Sequence, residues 1–278
     1  MGREENCNVF KDTERLCKTD PVLKESVAGS VKAQRLIPET FELPEKNRNR
    51  YNEPARIVVS KKRTFEAAEG VKDLKTAVHN FASATNPGGG VTRGANAQEE
   101  CLCRCSGLYF CLNIREMWEG FYAPHRAAHD PIHNDDIIYT PNVTVFKTDT
   151  SYPELMPRSE WYDVDVITCA APNLRPVPGN SYNSGDAGKA VSISDSDLQV
   201  IHEKRLRRIL DVALEADAEA VILGAFGCGA FMNDPHVVAR AAKTVIEDYL
   251  YAFRYIEFAV YCSPRDDSNY RVFNSILV

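Results

Sequence analysis

Two continuous apolar runs, VDVITCAA at 164–171 and AVILGAF at 220–226, most constrain the fold of this 278-residue chain. Unbroken runs of this kind are typical of strands that are buried on both faces of a sheet. Strands are predicted at 57–60, 74–81, 143–146, 164–170, 220–225 and 258–262, and helices at 95–112, 195–216 and 234–253. This alternation predicts an α/β fold with a largely parallel or mixed sheet.

The first 50 residues differ from the rest because they are polar and carry only two short helical patterns, at 8–18 and 22–36. They end in the polar stretch PEKNRNRYNEP, which is typical of a loop or linker. We therefore predict an N-terminal helical accessory segment at 1–50 and a catalytic domain at 51–278. Residues 171–195, rich in Pro, Gly, Ser and Asn, are predicted to form a long loop.

Composition and charge exclude several classes of protein. The chain is 44% hydrophobic and 26% charged, with a net charge of −6, so it lacks the basic excess of a general nucleic-acid binder. No apolar run approaches the ~18 residues of a membrane span. The nine cysteines include no CxxC pair, which favours reduced thiols and a cytoplasmic location over a zinc ribbon. In CLCRC, Cys101 and Cys105 share a helix face and are expected to pack inward.

Two glycine-rich loops follow predicted strands and precede predicted helices: NPGGGVTRGANAQEE at 86–100 and GAFGCGAFMNDP at 224–235. Ligands of open α/β folds bind at this edge of the sheet, and exposed N–H groups at such turns bind phosphate. Two such loops predict a ligand with more than one anionic or closely packed part, such as a diphosphate. A tight turn or close helix packing is the alternative explanation of each loop.

Familiar nucleotide motifs do not fit these loops. The second loop reads GxxGxG rather than GxGxxG, and the next strand lacks the acidic residue that would hold a ribose. GDAGKA at 185–190 imitates a P-loop but lacks its first glycine and its final Ser or Thr. We therefore expect neither a Rossmann dinucleotide site nor a nucleoside triphosphatase.

Three histidines recur every four residues in HRAAHDPIH, at His125, His129 and His133. Such spacing on a helix can serve a metal. Pro131 interrupts the helix before the third histidine, however, and no further ligand cluster is evident. Surface or loop histidines are the preferred interpretation.

The triple glycine, seven residues and then Gln98, Glu99 and Glu100 resemble the signature of poly(ADP-ribose) glycohydrolases. Together with GAFGCGAFMNDP, the segment resembles the microbial type of that family. The resemblance implies a macrodomain from about residue 50 onward, in which a mixed sheet between helices binds ADP-ribose. Residues 1–50 resemble the helical extension of the microbial branch.

The resemblance also implies roles for individual residues. Glu100 matches the catalytic acid/base, Glu99 would hydrogen-bond ribose hydroxyls, and Gln98 would help hold the loop in shape. The expected substrate-binding residues are Asn86, Gly88, Gly89, Gly90, Val91 and Gln98 from the first loop, and Gly227, Cys228, Gly229, Ala230 and Phe231 from the second. Asn86 and Phe231 would contact a ribose, and the second loop would bind the diphosphate. No metal and no cofactor are implied.

The two adjacent glutamates cannot easily flank a glycosidic bond, because neighbouring residues of a helix point about 100° apart. One is therefore expected to handle the proton and the other to hold substrate. A helix N-terminus favours the ionised carboxylate, whereas burial and a carboxylate neighbour favour the protonated form. A solvated pair in the first turn of a helix is the alternative for an isolated Glu-Glu.

The predicted function is glycoside hydrolysis: the enzyme would cleave ribose–ribose O-glycosidic bonds of poly(ADP-ribose), from chain ends by resemblance, and release ADP-ribose. The expected partners are poly(ADP-ribose) or ADP-ribosylated protein. A macrodomain that binds ADP-ribose without turnover is one alternative, and a mono-ADP-ribose hydrolase is another. A purely structural protein would leave both glycine loops unexplained.

Overall fold

The computed structural model describes residues 1–179, 189–263 and 265–278. Within them the chain forms seven strands and ten α-helices, numbered in chain order. The strands are β1 Arg35–Ile37, β2 Arg56–Ser60, β3 Thr76–Phe81, β4 Ile137–Val145, β5 Tyr162–Cys169, β6 Ala220–Leu223 and β7 Tyr255–Ala259. The helices are α1 Arg3–Thr19, α2 Pro21–Ala33, α3 Thr64–Glu69, α4 Gln98–Cys105, α5 Leu108–Leu112, α6 Arg115–Met117, α7 Ala123–Ala128, α8 Asp195–Glu215, α9 Pro235–Ile246 and α10 Ser268–Leu277.

All seven strands belong to one mixed sheet with the order β1-β4-β5-β3-β6-β7-β2. From β5 to β2 every neighbouring pair is parallel, whereas β4 pairs antiparallel with both β1 and β5. The carboxyl ends of β3, β6 and β7 therefore meet at one edge, where the ligand of a parallel α/β sheet is expected.

Helices cover both faces of the sheet, and this explains the apolar runs. Val221 packs in a core formed with α8, α9 and α10, whereas its neighbour Ile222 packs in a second core formed with α3, α4 and α5. In the same way, Ala77 of β3 packs in the first core and its neighbour Val78 packs in the second. Consecutive strand residues point to opposite faces, so strands with two buried faces need apolar side chains throughout. The predicted mixed sheet flanked by helices is confirmed.

Several predicted boundaries change. The helix predicted at 95–112 is two helices, α4 and α5, separated at Ser106 and Gly107. Ser106 is extended, and a β-carbon on Gly107 would lie 2.8 Å from Val27 of α2, so the chain turns where α2 packs against it. The strand predicted at 143–146 begins at Ile137, with a bulge between Thr140 and Val143. The helix predicted at 234–253 ends at Ile246, and the strand predicted at 258–262 is Tyr255–Ala259.

The N-terminal segment contributes two helices, as predicted, and one strand that was not predicted. The second helix ends at Ala33 rather than Leu36, because Arg35–Ile37 forms β1 at the edge of the sheet beside β4. The domain division at residue 50 stays a prediction. The long loop predicted at 171–195 contains residues 180–188, which lie outside the described residues.

Candidate functional site

The triple glycine forms a tight turn between β3 and α4. Gly88 and Gly89 have positive φ angles of 64° and 58°. A β-carbon on Gly88 would lie 2.7 Å from the Tyr109 ring, and one on Gly89 would collide with the Glu100 carboxylate. Left-handed backbone and lack of space thus both require glycine at these positions.

The carboxylate of Glu100 closes this turn against the start of α4. Oε1 accepts the N–H of Gly90 at 2.8 Å, and Oε2 accepts the N–H of Ala97 at 2.9 Å. The second contact is the reciprocal bond that an acidic third residue makes at a helix N-terminus. Glu100 is 7% exposed and lines a cavity. The two backbone donors therefore fix its carboxylate at the surface of that cavity.

Glu99 is more deeply buried, at 3% exposure. Its Oε2 accepts the N–H of Ser83 at 2.8 Å, and its Oε1 accepts from Asn80 Nδ2 at 3.2 Å. Burial raises the pKa of Glu99 to about 8; the Ser83 hydrogen bond offsets part of the shift, and the Glu100 charge adds to it. At Glu99, burial raises the pKa by more than the helix N-terminus would lower it.

The two carboxylates approach the same point in space, although they belong to adjacent residues. The position that a β-carbon of Gly89 would occupy lies 3.2 Å from Glu99 Oε2 and closer still to Glu100 Oε1. Neighbouring helix residues are expected to point their side chains apart. Here both side chains bend toward the glycine turn, so the two carboxyl groups come together. The charge of Glu100 is therefore close enough to contribute to the raised pKa of Glu99.

Gln98 connects α4 to the elements beside it. Its Oε1 accepts the N–H of Phe81 at 2.9 Å. Its Nε2 donates to the carbonyl of His79 at 2.7 Å and to Thr64 Oγ1 at 3.0 Å. The side chain therefore fixes the start of α4 to the end of β3 and the start of α3, which sets where both glutamates lie.

Three residues of the first loop that were predicted to bind substrate do not border the cavity as the described residues define it: Asn86, Gly88 and Val91. Asn86 Oδ1 accepts a hydrogen bond from Arg126, and Val91 is fully buried in the core behind the loop. Their contact with substrate stays a prediction.

The second loop is held in shape by Asn233, a residue that the sequence did not single out. Its Nδ2 donates to the carbonyl oxygens of Pro172, Gly227 and Phe231 at 2.7, 3.2 and 3.2 Å. Its Oδ1 lies 2.8 Å from Nε2 of the buried His202. Gly227 has a φ of 77° and its missing β-carbon leaves room for Asn233, so the loop closes around this amide.

The same loop carries backbone donors that bond to nothing in the described part of the chain. Within residues 1–179, 189–263 and 265–278, no acceptor receives the N–H of Gly227, Gly229, Ala230 or Phe231. The N–H of Cys228 differs, because it donates to the carbonyl of Ala225. Clustered free N–H groups of this kind form an anion site.

Both loops border one cavity of about 770 Å³ at the carboxyl edge of the sheet. It brings together nine of the predicted residues: Gly89, Gly90, Gln98, Glu99, Glu100, Gly227, Gly229, Ala230 and Phe231. Cys228 is not among the lining residues; its side chain is half-buried against the core beside the sheet. The carboxyl pair and the anion site therefore lie in one space that can hold a single extended ligand.

The cavity also has lining residues that the sequence analysis missed. They include Arg3, Asn6, Arg63, Asp149, Tyr261 and Asn269, which come from the N-terminal helix, three loops and the start of α10. One signal was available for Asn6, because it is spaced at helical intervals from Phe10 and Thr13 on the buried side of α1. The others come together only through the sheet order.

The three regularly spaced histidines are not a cluster. His125 Nδ1 of α7 bonds to the carbonyl of Phe121 in the helical turn before α7, and His133 Nδ1 bonds to the carbonyl of Ala171. Both are buried, so the expectation of a surface position is wrong for His125. No group of three His, Cys, Asp or Glu in the described residues could hold a metal ion.

The cysteines of α4 pack inward, as predicted. Cys101 and Cys105 are buried, and so is Cys103 between them. Burial raises the pKa of all three thiols. None of the helices in the described part of the chain has the length and apolarity of a membrane span.

Comparison with known proteins adds independent evidence. Residues 5–148 match the family model of the catalytic domain of microbial-type PARG. The chain is similar to the crystal structure of poly(ADP-ribose) glycohydrolase from Thermomonospora curvata, with 28% identity, 98% of this chain and 99% of that chain covered, and a TM-score of 0.84. It is also similar to the enzyme from Deinococcus radiodurans in complex with ADP-ribose, with 33% identity, 91% and 98% coverage, and a TM-score of 0.74.

A comparison with curated protein sequences found no match. The family model covers about half of the chain, and the two structural relatives cover almost all of it. The cavity, the paired carboxyl groups and the macrodomain-like sheet agree with these matches. The chain therefore belongs to the microbial-type poly(ADP-ribose) glycohydrolases, a family of glycosidases.

Proposed function

We propose that this chain hydrolyses the ribose–ribose O-glycosidic bonds of poly(ADP-ribose) and releases ADP-ribose, with Glu100 as the acid/base. One observation carries the proposal: the carboxyl pair and the free N–H groups of the second loop border the same cavity. A diphosphate bound at the N–H groups would bring the attached ribose toward the carboxyl pair.

The carboxyl pair is suited to one proton transfer in each direction. Because burial raises the pKa of Glu99 to about 8, Glu99 holds a proton near neutral pH in the free protein. We propose that this proton passes from Glu99 to Glu100, and that Glu100 delivers it to the leaving ribose oxygen as the glycosidic bond breaks. Glu100 then takes a proton from the attacking water, whose oxygen bonds to the anomeric carbon, and the pair returns to its initial state.

The second loop supplies charge complementarity. The N–H groups of Gly227, Gly229, Ala230 and Phe231 would bind the diphosphate, and the bound anion would stabilise the oxocarbenium-like transition state. Phe231 would pack on a ribose, and Asn86 and Glu99 would contact ribose hydroxyls. Cleavage from chain ends and a cytoplasmic location belong to the same proposal; all nine cysteines are free thiols, which suits a reducing compartment.

The experiment is to incubate the protein with purified poly(ADP-ribose) and to quantify the ADP-ribose released. Glu100→Gln should lower kcat by about 100-fold or more, because removal of a general acid costs that much, while the affinity for ADP-ribose is kept. Glu116→Gln on the exposed surface of α6 is the matched control and should keep wild-type activity.

The outcomes separate the alternatives. A wild-type protein that binds ADP-ribose and releases nothing would favour a non-catalytic reader. Release only from mono-ADP-ribosylated protein would favour the mono-ADP-ribose hydrolase. A Glu100→Gln variant with wild-type kcat would remove Glu100 from the mechanism.

A further inference from the structure

Helix α8 carries two buried polar side chains behind the second loop. His202 is 3% exposed and Arg205 is 2% exposed, and neither borders the cavity as the described residues define it. Residues three apart share one side of a helix, so both side chains lie on the same face of α8. Burying polar groups is costly unless they find partners, so the partners of these two side chains indicate their role.

The hydrogen bond between His202 and Asn233 has a defined direction. Asn233 turns Nδ2 toward three carbonyl oxygens, and an amide oxygen in that place would be repelled by all three. Oδ1 of Asn233 therefore faces Nε2 of His202 at 2.8 Å, and this ring nitrogen carries the proton. Burial lowers the pKa of His202 to about 4, although the Asn233 hydrogen bond offsets part of the shift. The ring is thus neutral near pH 7, with its one N–H at Nε2.

His202 also contacts the other end of the second loop. Its ring centre lies 5.5 Å from that of Phe226, and the two rings meet edge to face at 89°. Phe226 borders the cavity and directly precedes Gly227, whose N–H is the first of the four that find no acceptor in the described part of the chain. Asn233 lies two residues after the last of them, Phe231. The imidazole therefore contacts both ends of the segment that carries the anion site.

Arg205 fixes the segment against which the second loop closes. Its Nη1 donates to the carbonyl of Ala170, and its Nε donates to Asp135 Oδ1, both at 2.8 Å. Ala170 lies two residues before Pro172, whose carbonyl accepts from Asn233 at 2.7 Å. Helix α8 therefore holds the amide of Asn233 through one side chain and the strand end that the amide binds through the other.

We infer that His202 is a positioning residue for the anion site: its Nε2–H holds the Asn233 amide in the orientation that keeps the second loop in shape for a diphosphate. His202 lies behind the loop, so it acts on the affinity for the anion and not on proton transfer at the carboxyl pair. The inference rests on the proposed function, because it assumes that the second loop binds the diphosphate of ADP-ribose.

The test uses His202→Gln and His202→Asn in the full-length protein, a pair that differs by one methylene group. The amide nitrogen of Gln reaches the place of Nε2, whereas that of Asn ends near Nδ1 and leaves Asn233 Oδ1 buried without a donor. His202→Asn should therefore raise the Kd of ADP-ribose and the KM of poly(ADP-ribose) roughly tenfold, with kcat changed less than about twofold. His202→Gln should keep the wild-type Kd. Calorimetric titration and steady-state kinetics measure these quantities.

A double-mutant cycle distinguishes this role from a general loss of stability. In an Asn233→Ala background, His202→Asn should not weaken ADP-ribose binding further, because the side chain through which it acts is already absent. His236→Asn is the matched control, since it makes the same chemical change at an exposed residue in the first turn of α9. It should bind ADP-ribose as the wild type does.

The ring proton can also be observed in the unmodified protein. Nitrogen-edited NMR should show the neutral Nε2–H form of His202, and an Nδ1–H form would overturn the inference even if a variant failed to fold. A wild-type Kd in His202→Asn, an equal loss in the Gln and Asn variants, or additive losses in the double variant would overturn it as well. A wild-type protein that does not bind ADP-ribose would instead refute the proposed function, and the inference with it.

Discussion

The two glycine-rich loops lie at the same edge of the sheet, yet their backbone N–H groups have different partners. In the first loop, the N–H of Gly90 donates to Glu100, and that of Gly89 donates to the carbonyl of Asn86. In the second loop, four N–H groups find no acceptor among the described residues. The first loop thus organises the carboxyl pair, and the second loop remains available to an anion.

This difference shows that glycine-rich sequence alone does not identify an anion site. In the first loop, glycine allows the carboxylates to lie against the backbone, since a β-carbon at Gly89 would collide with Glu100. At Gly229 a β-carbon would meet nothing within 4 Å, so the second loop has open space beside its donors. Four substitutions of decreasing expected effect test this division of roles.

Gly89→Ala should have the largest effect. The added methyl group displaces Glu100 and forces a residue with a side chain into positive φ, and a displacement of about 1 Å in a catalytic group costs about 100-fold in rate. We expect kcat for polymer hydrolysis to fall by at least this factor while ADP-ribose still binds. Steady-state kinetics and calorimetric titration with ADP-ribose measure the two quantities. A loss of binding with unchanged kcat would reverse the assigned roles of the loops.

Asn233→Ala should act on the second loop, because it removes the amide that holds three of its carbonyl groups. The Kd for ADP-ribose should rise roughly tenfold, and the free energy of unfolding should fall by about 2 kcal/mol. Asn233→Asp keeps the acceptor for His202 but loses the donors, so it should share the binding defect. An Asp variant with wild-type affinity would show that the donors do not shape the anion site.

Glu99→Gln tests the buried carboxyl group through pH. The folded-state pKa of about 8 is above the unfolded value near 4.5, so the contribution of Glu99 to stability is full below pH 4.5 and is lost as pH rises through 8. The variant carries no charge at any pH. Relative to wild type it should therefore gain stability between pH 5 and pH 8.5, by up to about 1.4 kcal/mol for each pH unit below 8. Urea unfolding at both pH values measures the gain, and a constant difference between the two proteins would contradict the raised pKa.

Gly229→Ala should have the smallest effect. The position has no positive φ, the methyl group points into open space, and the N–H group is retained. We expect less than about a threefold change in kcat and in the Kd for ADP-ribose. Measured beside Gly89→Ala, it is the same chemical change in the other loop. A Gly229→Ala defect as large as that of Gly89→Ala would mean that the second loop is as tightly packed as the first.

The sequence predicted the elements whose patterns are local. The strands predicted at 164–170 and 220–225 correspond to β5 and β6, because their buried character can be recognised in the sequence itself. Asp195–Glu215 is a helix because its apolar stripe recurs at helical spacing. β1 was not predicted, because three residues at a sheet edge are too few to show a strand-like alternation of apolar and polar side chains. The first half of β4 escaped because Pro141 and a bulge interrupt the alternation.

The candidate site was predictable where a motif placed its residues close together in sequence. Glu99 and Glu100 follow the triple glycine within one loop, and the structure brings all of them to the cavity except Gly88. Asn233 could not be recognised, since its partners include Pro172, about 60 residues earlier in the chain. The same holds for Asp149 and Arg63, which approach Cys101 only after β2 and β4 take their places in the sheet.

The pairing of β2 has a consequence for how the protein forms. Among the described residues, this strand from near the N-terminus pairs with β7 alone, which lies almost a whole domain later in the chain. Contacts between such distant segments form late, and a nascent chain exposes the unpaired strand until then. Arg63 and Thr64, which follow β2 directly, can border the cavity only once β7 has emerged from the ribosome. Catalytic competence should therefore arise only after β7 has been synthesised, later than both glycine loops.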